Sequence, residues 1–403
     1  MNVNICKWMR NANSPVLFMI DDLANAWVDT NKNKKIDKGE DWGRARYSEN
    51  SSIKYLEEEI LFFNNKVKVT FFVPVGKRVG MLKNSYNMFS YPINESLSSK
   101  EFFKSLHNNS KYEIAYHGTT HGIPGDNINE FKQEWETFKS LEEALNTIEN
   151  GKKIYKDAIG EDPKGGKYCG YTSNEYSDKS IDLSGFFWWC RFCNIDTIRE
   201  AKKDNYNKFI LGEDINPLTN YDIKFFGENN IIDIPTTVNG GMLCNIYISN
   251  GKKIKFILKK ILKRYLEKRK LKYIDYLLRN KLVISIQEHI SPARDDGKIQ
   301  TPNIFKDKQS LINILKYLKN KNVWYCTGSE LASYVYYREN IKILFENKYK
   351  FKLNFDELVI RDFNYITLNI ASGKEVITPN GKKINIYKNI CTIPIESGIY
   401  TIC

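Results

Sequence analysis

The sequence predicts an α/β fold, a largely parallel sheet curved into a (β/α) barrel over residues 1–345, with a small β-sandwich-like domain over 346–403. Three observations predict it. Short apolar runs alternate with stretches of helical periodicity from Pro15 to Asn340, the pattern of βαβ units. Acidic and histidine residues stand directly after several of those runs, at the strand ends where α/β sites gather. After about residue 345, short β-patterned runs follow one another with turns at Asn380-Gly381 and Ser397-Gly398, as in an all-β unit.

The first run, Pro15–Ile20, is continuously apolar, as a strand buried on both faces must be. It ends in Asp21-Asp22. Two adjacent carboxylates at the end of a buried strand are costly unless a positive partner meets them, and a metal ion would do so. The next segment supplies Asp29, Asn31, Asn33, Lys35, Asp37 and Glu40 at the spacing of a twelve-residue calcium loop. Lys34 stands where that pattern places glycine, and no helices flank the loop. Calcium binding and a plain polar surface loop both fit. Residues 49–64 have helical periodicity, Val67–Val73 reads as a strand, and 98–109 as a helix carrying a surface His107.

The strand Tyr112–Tyr116 runs into His117-Gly-Thr-Thr-His121. The chain has only four histidines, so two at this spacing stand out. Imidazole is the commonest protein ligand for zinc and its neighbours, and a spacing of four brings two rings to one side of a single turn. Gly118, Gly122 and Pro124 oppose a long helix, so the pair is expected in a tight loop. Two uncoordinated loop histidines are the alternative. Residues 127–158 carry a long helical pattern with Glu134, Glu136, Glu142 and Glu143 on solvated faces. Gly165-Gly166-Lys167-Tyr168 is expected to be a tight loop that lets backbone approach a ligand. Within Phe186–Trp189, Trp188 suits the core or a sugar-stacking platform, the core being the commoner use. Cys190 and Cys193 are expected to be structural, in or beside a strand.

Ile231–Thr237 is another strand. Residues 252–279 form a very basic helix whose apolar side holds Ile254, Ile257, Leu258, Ile261, Leu262 and Leu266. A solvated face of a packed helix is favoured over contact with anionic lipid or glycan. Leu282–Ile286 is a buried strand leading into Gln287-Glu288-His289, which places the last histidine at a strand end too. A helix at 305–320, a strand at Val323–Cys326 and a helix at 329–340 complete the barrel.

Composition bounds the function. The 403 residues are 42% hydrophobic and 13% aromatic, enough for a packed core. The net charge of +13 is spread along the chain, and no aromatic-basic module of a nucleic-acid type appears. Eight cysteines lie far apart, unlike a disulfide scaffold. The N-terminal stretch lacks the apolar region of a secretion signal, and no apolar run approaches the ~18 residues of a membrane span. A cytoplasmic protein is expected.

An apolar strand ending in Asp21-Asp22, then Val-Thr-Phe-Phe-Val, then the His117/His121 pair, a Gly-rich segment and a strand ending near His289 resembles, in order and over about residues 14–340, the polysaccharide deacetylases of carbohydrate esterase family four. The resemblance implies a distorted (β/α) barrel and a metal-dependent carbohydrate N-deacetylase, with a divalent transition metal, zinc foremost, as cofactor. It implies Asp21 as catalytic base, Asp22, His117 and His121 as metal ligands, and His289 as the acid that protonates the leaving amine. Leu23 replaces the glycine that ends the family's first motif. The family's third motif supplies an arginine that holds the base, where this chain offers Lys164 or Lys167. The carboxylate-Trp motif has only Asp233 or Trp188 to stand in for it. Gly165, Gly166, Lys167, Tyr168 and Trp188 are the expected substrate contacts. A C–N hydrolase acting on a non-sugar amide and an inactive glycan-binding barrel are the competing functions.

Overall fold

The computed structural model describes residues 3–194, 220–247, 253–356 and 363–403, with backbone only over 253–261. Ten strands make the main sheet. They are β1 (Ser14–Asp21), β2 (Val69–Val73), β3 (Tyr112–Tyr116), β4 (Gly165–Lys167), β5 (Trp188–Cys190), β6 (Lys224–Phe226), β7 (Ile231–Asp233), β8 (Val238–Asn239), β9 (Ile284–His289) and β10 (Val323–Tyr325). Their order is β6-β7-β5-β4-β3-β2-β1-β9-β8, with β10 beside the start of β1. Every pairing is parallel except β6 with β7. The sheet curls into a half-barrel whose edges are β6 and β8.

Strand β1 shows why the sequence reads as it does. All eight of its residues are buried, because both faces of the sheet are covered. Alternate side chains point to opposite faces. Val16, Phe18 and Ile20 face outward, into a core shared with Ile53 and Leu56 of the helix Ser52–Glu59 and with Phe102, Phe103 and Leu106 of the helix Leu97–His107. Leu17 and Met19 face inward, with Phe72, Ala115 and Trp188. Asp21 is next in the inward set, so the strand delivers its carboxylate to the mouth of the barrel.

The other end of the barrel is plugged. The helix Gly328–Asn340 starts there, capped by Thr327 and Glu330. The backbone N–H of Gly328 donates to Thr70 Oγ1 at 3.0 Å, and that of Ser329 to Glu113 Oε2 at 3.1 Å. Leu331, Ala332 and Val335 carry the inner core on to Ile366, Leu368 and Ile393 of the C-terminal strands. Those strands form one sheet of three and one of five. The three-stranded sheet includes Val3–Ile5, which pairs antiparallel with Tyr365–Ile370.

Several segments differ from the sequence reading. The long helix expected over 127–158 is a helix only at Leu141–Ile159, with Ser140 as its N-cap. Before it lie short 3-10 turns, including Glu134–Glu136, and the strand pair Gly122-Ile123 with Lys132-Gln133. Trp135 is wholly buried there and Glu134 is buried too, so tertiary contacts override helical propensity. The Gly165-Gly166 segment is a strand instead of a loop. A Cβ on Gly165 would lie 2.1 Å from the Trp188 ring, and one on Gly166 2.4 Å from the Trp189 ring. The glycines are there to let β4 lie against two indoles. The basic helix runs over Lys253–Arg279. Its buried side holds Leu271, Ile274, Leu277 and Leu278. Leu266 packs partly against the core and Leu262 is exposed, while the side chains of Ile254, Ile257, Leu258 and Ile261 lie outside the described residues. No helix among the described residues is long and apolar enough to cross a membrane.

Candidate metal-dependent active site

At the C-terminal mouth of the barrel, Asp21, Asp22, His117, His121 and His289 line one cavity of about 330 Å³. Three strands deliver them. Asp21 ends β1, and Asp22 follows in the left-handed region at φ 67°, which turns its side chain out of the strand alternation. His117 follows β3, and His289 ends β9, where it pairs with Asp21 in register.

The His117–His121 loop is held from below by Glu134. Its carboxylate accepts the backbone N–H of Thr119 at 2.8 Å, Thr120 at 2.7 Å and His121 at 2.8 Å. Gly118 has φ 84°, and a Cβ there would lie 2.8 Å from Glu134 Oε2. His121 takes φ 74°. These left-handed positions make a turn tight enough for both rings to reach Asp22. The sequence reading placed Glu134 on a solvated face; it is instead the anchor of this loop.

Asp22 bridges the charged groups. Its Oδ2 accepts from Arg78 at 3.1 Å. Its Oδ1 lies 2.8 Å from His121 Nε2 and 3.8 Å from His117 Nε2. Burial alone would raise the Asp22 pKa, but Arg78 and His121 outweigh it and hold the carboxyl well below the usual carboxylate range. Burial pushes His117 down to about 4, against the opposing pull of Asp21, so its ring is neutral at neutral pH.

This donor set fits a metal ion. His117 Nδ1 lies 2.9 Å from the Lys167 carbonyl oxygen, which can only accept, so Nδ1 carries the proton and Nε2 presents a lone pair. That lone pair faces a carboxylate oxygen, an acceptor against an acceptor. His121 Nδ1 is buried with no hydrogen-bond partner, and Asp22 Oδ1, 2.8 Å from His121 Nε2, meets it as a close ion-pair contact outside hydrogen-bond geometry. Orphaned buried donors and acceptors call for an explanation, and a cation among them is one.

Asp21 is fixed on both sides. Lys167 Nζ donates to its Oδ1 at 2.8 Å, and Gln287 Nε2 to its Oδ2 at 2.8 Å. Lys167 also donates to Gln287 Oε1, and Tyr171 OH reaches the same oxygen at 2.6 Å. Burial works to raise the Asp21 pKa, while Lys167, His117 and His289 pull it down, and the net direction is downward. His289 Nδ1 lies 2.7 Å from the Pro302 carbonyl oxygen, so Nδ1 is the protonated nitrogen and Nε2 is the one free to exchange.

Of the expected substrate contacts, only Lys167 reaches the site. Gly165 and Gly166 sit in β4 under the indoles. Tyr168 is buried with its hydroxyl on Asp178 at 2.6 Å. Trp188 lies in the barrel core with Nε1 on Ser329 Oγ at 2.9 Å. Asp233 pairs with Arg191 at 3.0 Å and does not line the cavity. The cavity is lined instead by Gln133, Gly170, Tyr171, Cys193, Asn239, Gln287, Gln300, Thr301 and Pro302. Most come from loops after the strands, which carry no periodic signal. Arg78, five residues past the end of β2, was equally silent.

The loop over 29–40 contributes no residue to the cavity lining; Ser291 Oγ donates to its Gly39 carbonyl at 2.8 Å. Asp29 accepts the backbone N–H of Asn33 at 3.1 Å and of Lys34 at 2.9 Å. Asn31 and Asn33 donate to Asp37 Oδ2 at 2.6 and 2.8 Å. Glu40 accepts from the backbone of Thr30 at 2.7 Å and of Asp37 at 2.9 Å. Lys34 takes φ 60°, the left-handed conformation for which the calcium-loop pattern uses glycine. Lys35 contributes its backbone N–H to Asn33 Oδ1 at 2.7 Å.

No family model matches this chain, and no curated protein does either. Among solved structures it is similar to polysaccharide deacetylases and family-four esterases. One, described as a probable polysaccharide deacetylase from Pseudomonas aeruginosa, is 12% identical over 81% of this chain and 91% of its own, with a TM-score of 0.45. A family 4 acetyl xylan esterase from Clostridium thermocellum, solved with a cobalt ion, is 11% identical over 79% of this chain and 90% of its own, with a TM-score of 0.34. An allantoinase is 14% identical over 81% of this chain and 91% of its own, with a TM-score of 0.43.

Proposed function

We propose that this protein is a metal-dependent hydrolase that removes N-acetyl groups from a sugar or polysaccharide. One observation carries the reading: a carboxylate clamped by Lys167 and Gln287 stands beside the Asp22/His117/His121 set, with His289 on the same cavity. A divalent transition ion such as zinc, held by Asp22, His117 and His121, supplies when bound Lewis-acid polarisation and an acidified water.

The chain's own groups do the rest. Asp21 stays ionised through the neutral range, and each of its oxygens keeps a second lone pair beyond the one used by Lys167 or Gln287. It takes the proton of the attacking water. Lys167 and Gln287 hold it in position and stop it swinging onto the histidines. His289, fixed through Nδ1 on Pro302, gives the proton on Nε2 to the departing nitrogen. Glu134 holds the two ligand histidines at a fixed separation.

Acetate release from N-acetylated sugars tests the substrate class. Release from small non-sugar amides instead would assign the same chemistry to a different C–N hydrolase, and glycan binding without turnover would make the barrel a binding protein. Asp21→Asn should retain metal and lose deacetylation; full activity in that variant overturns the role of Asp21. For the loop over 29–40, calcium is the proposed ligand, argued from its ligand spacing and the left-handed Lys34. Calcium added to chelator-treated protein should raise Tm, and Asp29→Asn should remove the rise.

A further inference from the structure

One group at the centre has no part in the chemistry above. After β4 the chain makes a single 3-10 turn, Cys169–Tyr171, and Cys169 is wholly buried against the ligand histidines. Its Sγ and one ring nitrogen each of His117 and His121 lie within 4.8 Å of one another. The turn is fixed: Gly170 and Tyr171 both take φ 57°, and a Cβ on Gly170 would lie 2.5 Å from Gln133 Nε2. The sulfur is therefore placed by its surroundings. The thiol donates to the His117 carbonyl at 3.0 Å, which accounts for its proton but not for its place beside two imidazoles. The independent sign of a ligand is His121, buried, with an Nδ1 that has no hydrogen-bond partner.

We propose that Cys169 is a ligand of the metal centre, so that the ion is held by a thiolate as well as by Asp22, His117 and His121. This rests on the metal-dependent reading above and deepens it. When the ion enters, the S–H bond breaks, its proton passes to solvent, and both electrons of that bond remain on sulfur to form the bond to the metal. Nothing is oxidised or reduced. The sulfur decides the class of ion: thiolate ligation favours zinc, cobalt and cadmium, whereas all-oxygen and water ligation suits magnesium and manganese. With four protein ligands the ion needs a fifth position for the water that the proposed reaction uses, an expansion that zinc accepts.

The test is spectroscopic and does not depend on turnover. Metal-free protein is titrated with cobalt(II) without oxygen. The wild type should show the visible d–d bands of bound cobalt and a near-ultraviolet sulfur-to-cobalt charge-transfer band. Cys169→Ser should keep the d–d bands and lose the charge-transfer band. The proposal is overturned if wild type binds cobalt without that band, or if the band survives in Cys169→Ser. Cadmium-113 NMR of the wild type needs no variant: a strongly downfield resonance supports sulfur ligation, and a position typical of nitrogen and oxygen donors overturns it. If no d–d bands appear and cadmium does not bind, the metal-dependent reading itself fails and the ligand proposal falls with it.

Discussion

Asp21 is held by two neutral-to-cationic donors from different strands, and that division has consequences. A guanidinium would offer a rigid bidentate fork, whereas Lys167 offers one point charge on a flexible stem. Gln287 supplies the second hydrogen bond. Lys167→Met should therefore leave Asp21 buried with a single neutral donor and raise its pKa. We expect kcat to fall about 10²-fold or more and the acid limb of the pH–rate profile to move upward. A uniform loss of activity with no shift of that limb would mean Lys167 only fills space. His117 gives a second test. Its pKa in the fold is about 4, below the ordinary 6.5 of an unfolded chain. As pH falls, the unfolded state binds that proton first, so the stability of metal-free protein is complete above about 6.5 and drains toward 4. The loss should be roughly 2–3 kcal/mol between pH 7 and 4.5, read by urea denaturation and largely absent in His117→Gln. At this scale the sequence was informative where chemistry follows a strand. Asp21, Asp22, His117 and His289 stand at strand ends, His121 follows on the loop after one, and all five meet in one cavity. Cys169, Tyr171 and Arg78 lie in turns, where nothing in the spacing says which way a side chain points.

The loop between β3 and the helix Leu141–Ile159 shows how an element can mislead. Its glutamates and apolar residues imitate a helix, yet Glu134 accepts three backbone N–H groups of the histidine loop. Glu134→Ala should release those donors and let the two rings drift apart. Metal affinity should fall 10- to 100-fold, as it does when groups supporting metal ligands are removed, with little change in the helix content seen by circular dichroism. Unchanged affinity would show that the loop is rigid without its anchor. The glycines of β4 misled in the opposite direction. Gly-Gly reads as a loop until the indoles of β5 are known, because only a neighbouring strand explains why a side chain is forbidden. Gly165→Ala should cost about 1–3 kcal/mol or more through overpacking against Trp188. On β9, Glu288 alternates with the site residues and points the other way. It is fully buried, both its oxygens lack a hydrogen-bond partner, and burial with Asp307 nearby raises its pKa well above the usual range. Glu288→Gln should match or exceed wild-type stability at alkaline pH, where the wild-type carboxyl must ionise without a partner.

Across the whole molecule, the inner core of the half-barrel does not stop at the sheet. It passes through the helix Gly328–Asn340 into the C-terminal strands, so the plug that closes the lower end of the lumen is itself covered. Alternating strand and helix patterns made the sheet legible, and the change of texture near residue 345 made the C-terminal strands legible. Their attachment was not, because the core that Leu17, Leu331 and Leu368 share joins segments with no local relation. Ending the chain after residue 345 should expose Leu331, Ala332 and Val335 and lower soluble yield. If the shortened protein stays soluble with an unchanged Tm, the C-terminal strands are dispensable to the barrel.

The pairing of Val3 with Ile370 sets an order of assembly. During synthesis, Val3–Ile5 emerges long before its partner strand exists, and a contact between such distant points carries a large loop-closure entropy. The barrel strands in between have partners within reach much earlier. The short strand can therefore pair only once Tyr365–Ile370 has been made, after the barrel strands that lie between the two in sequence.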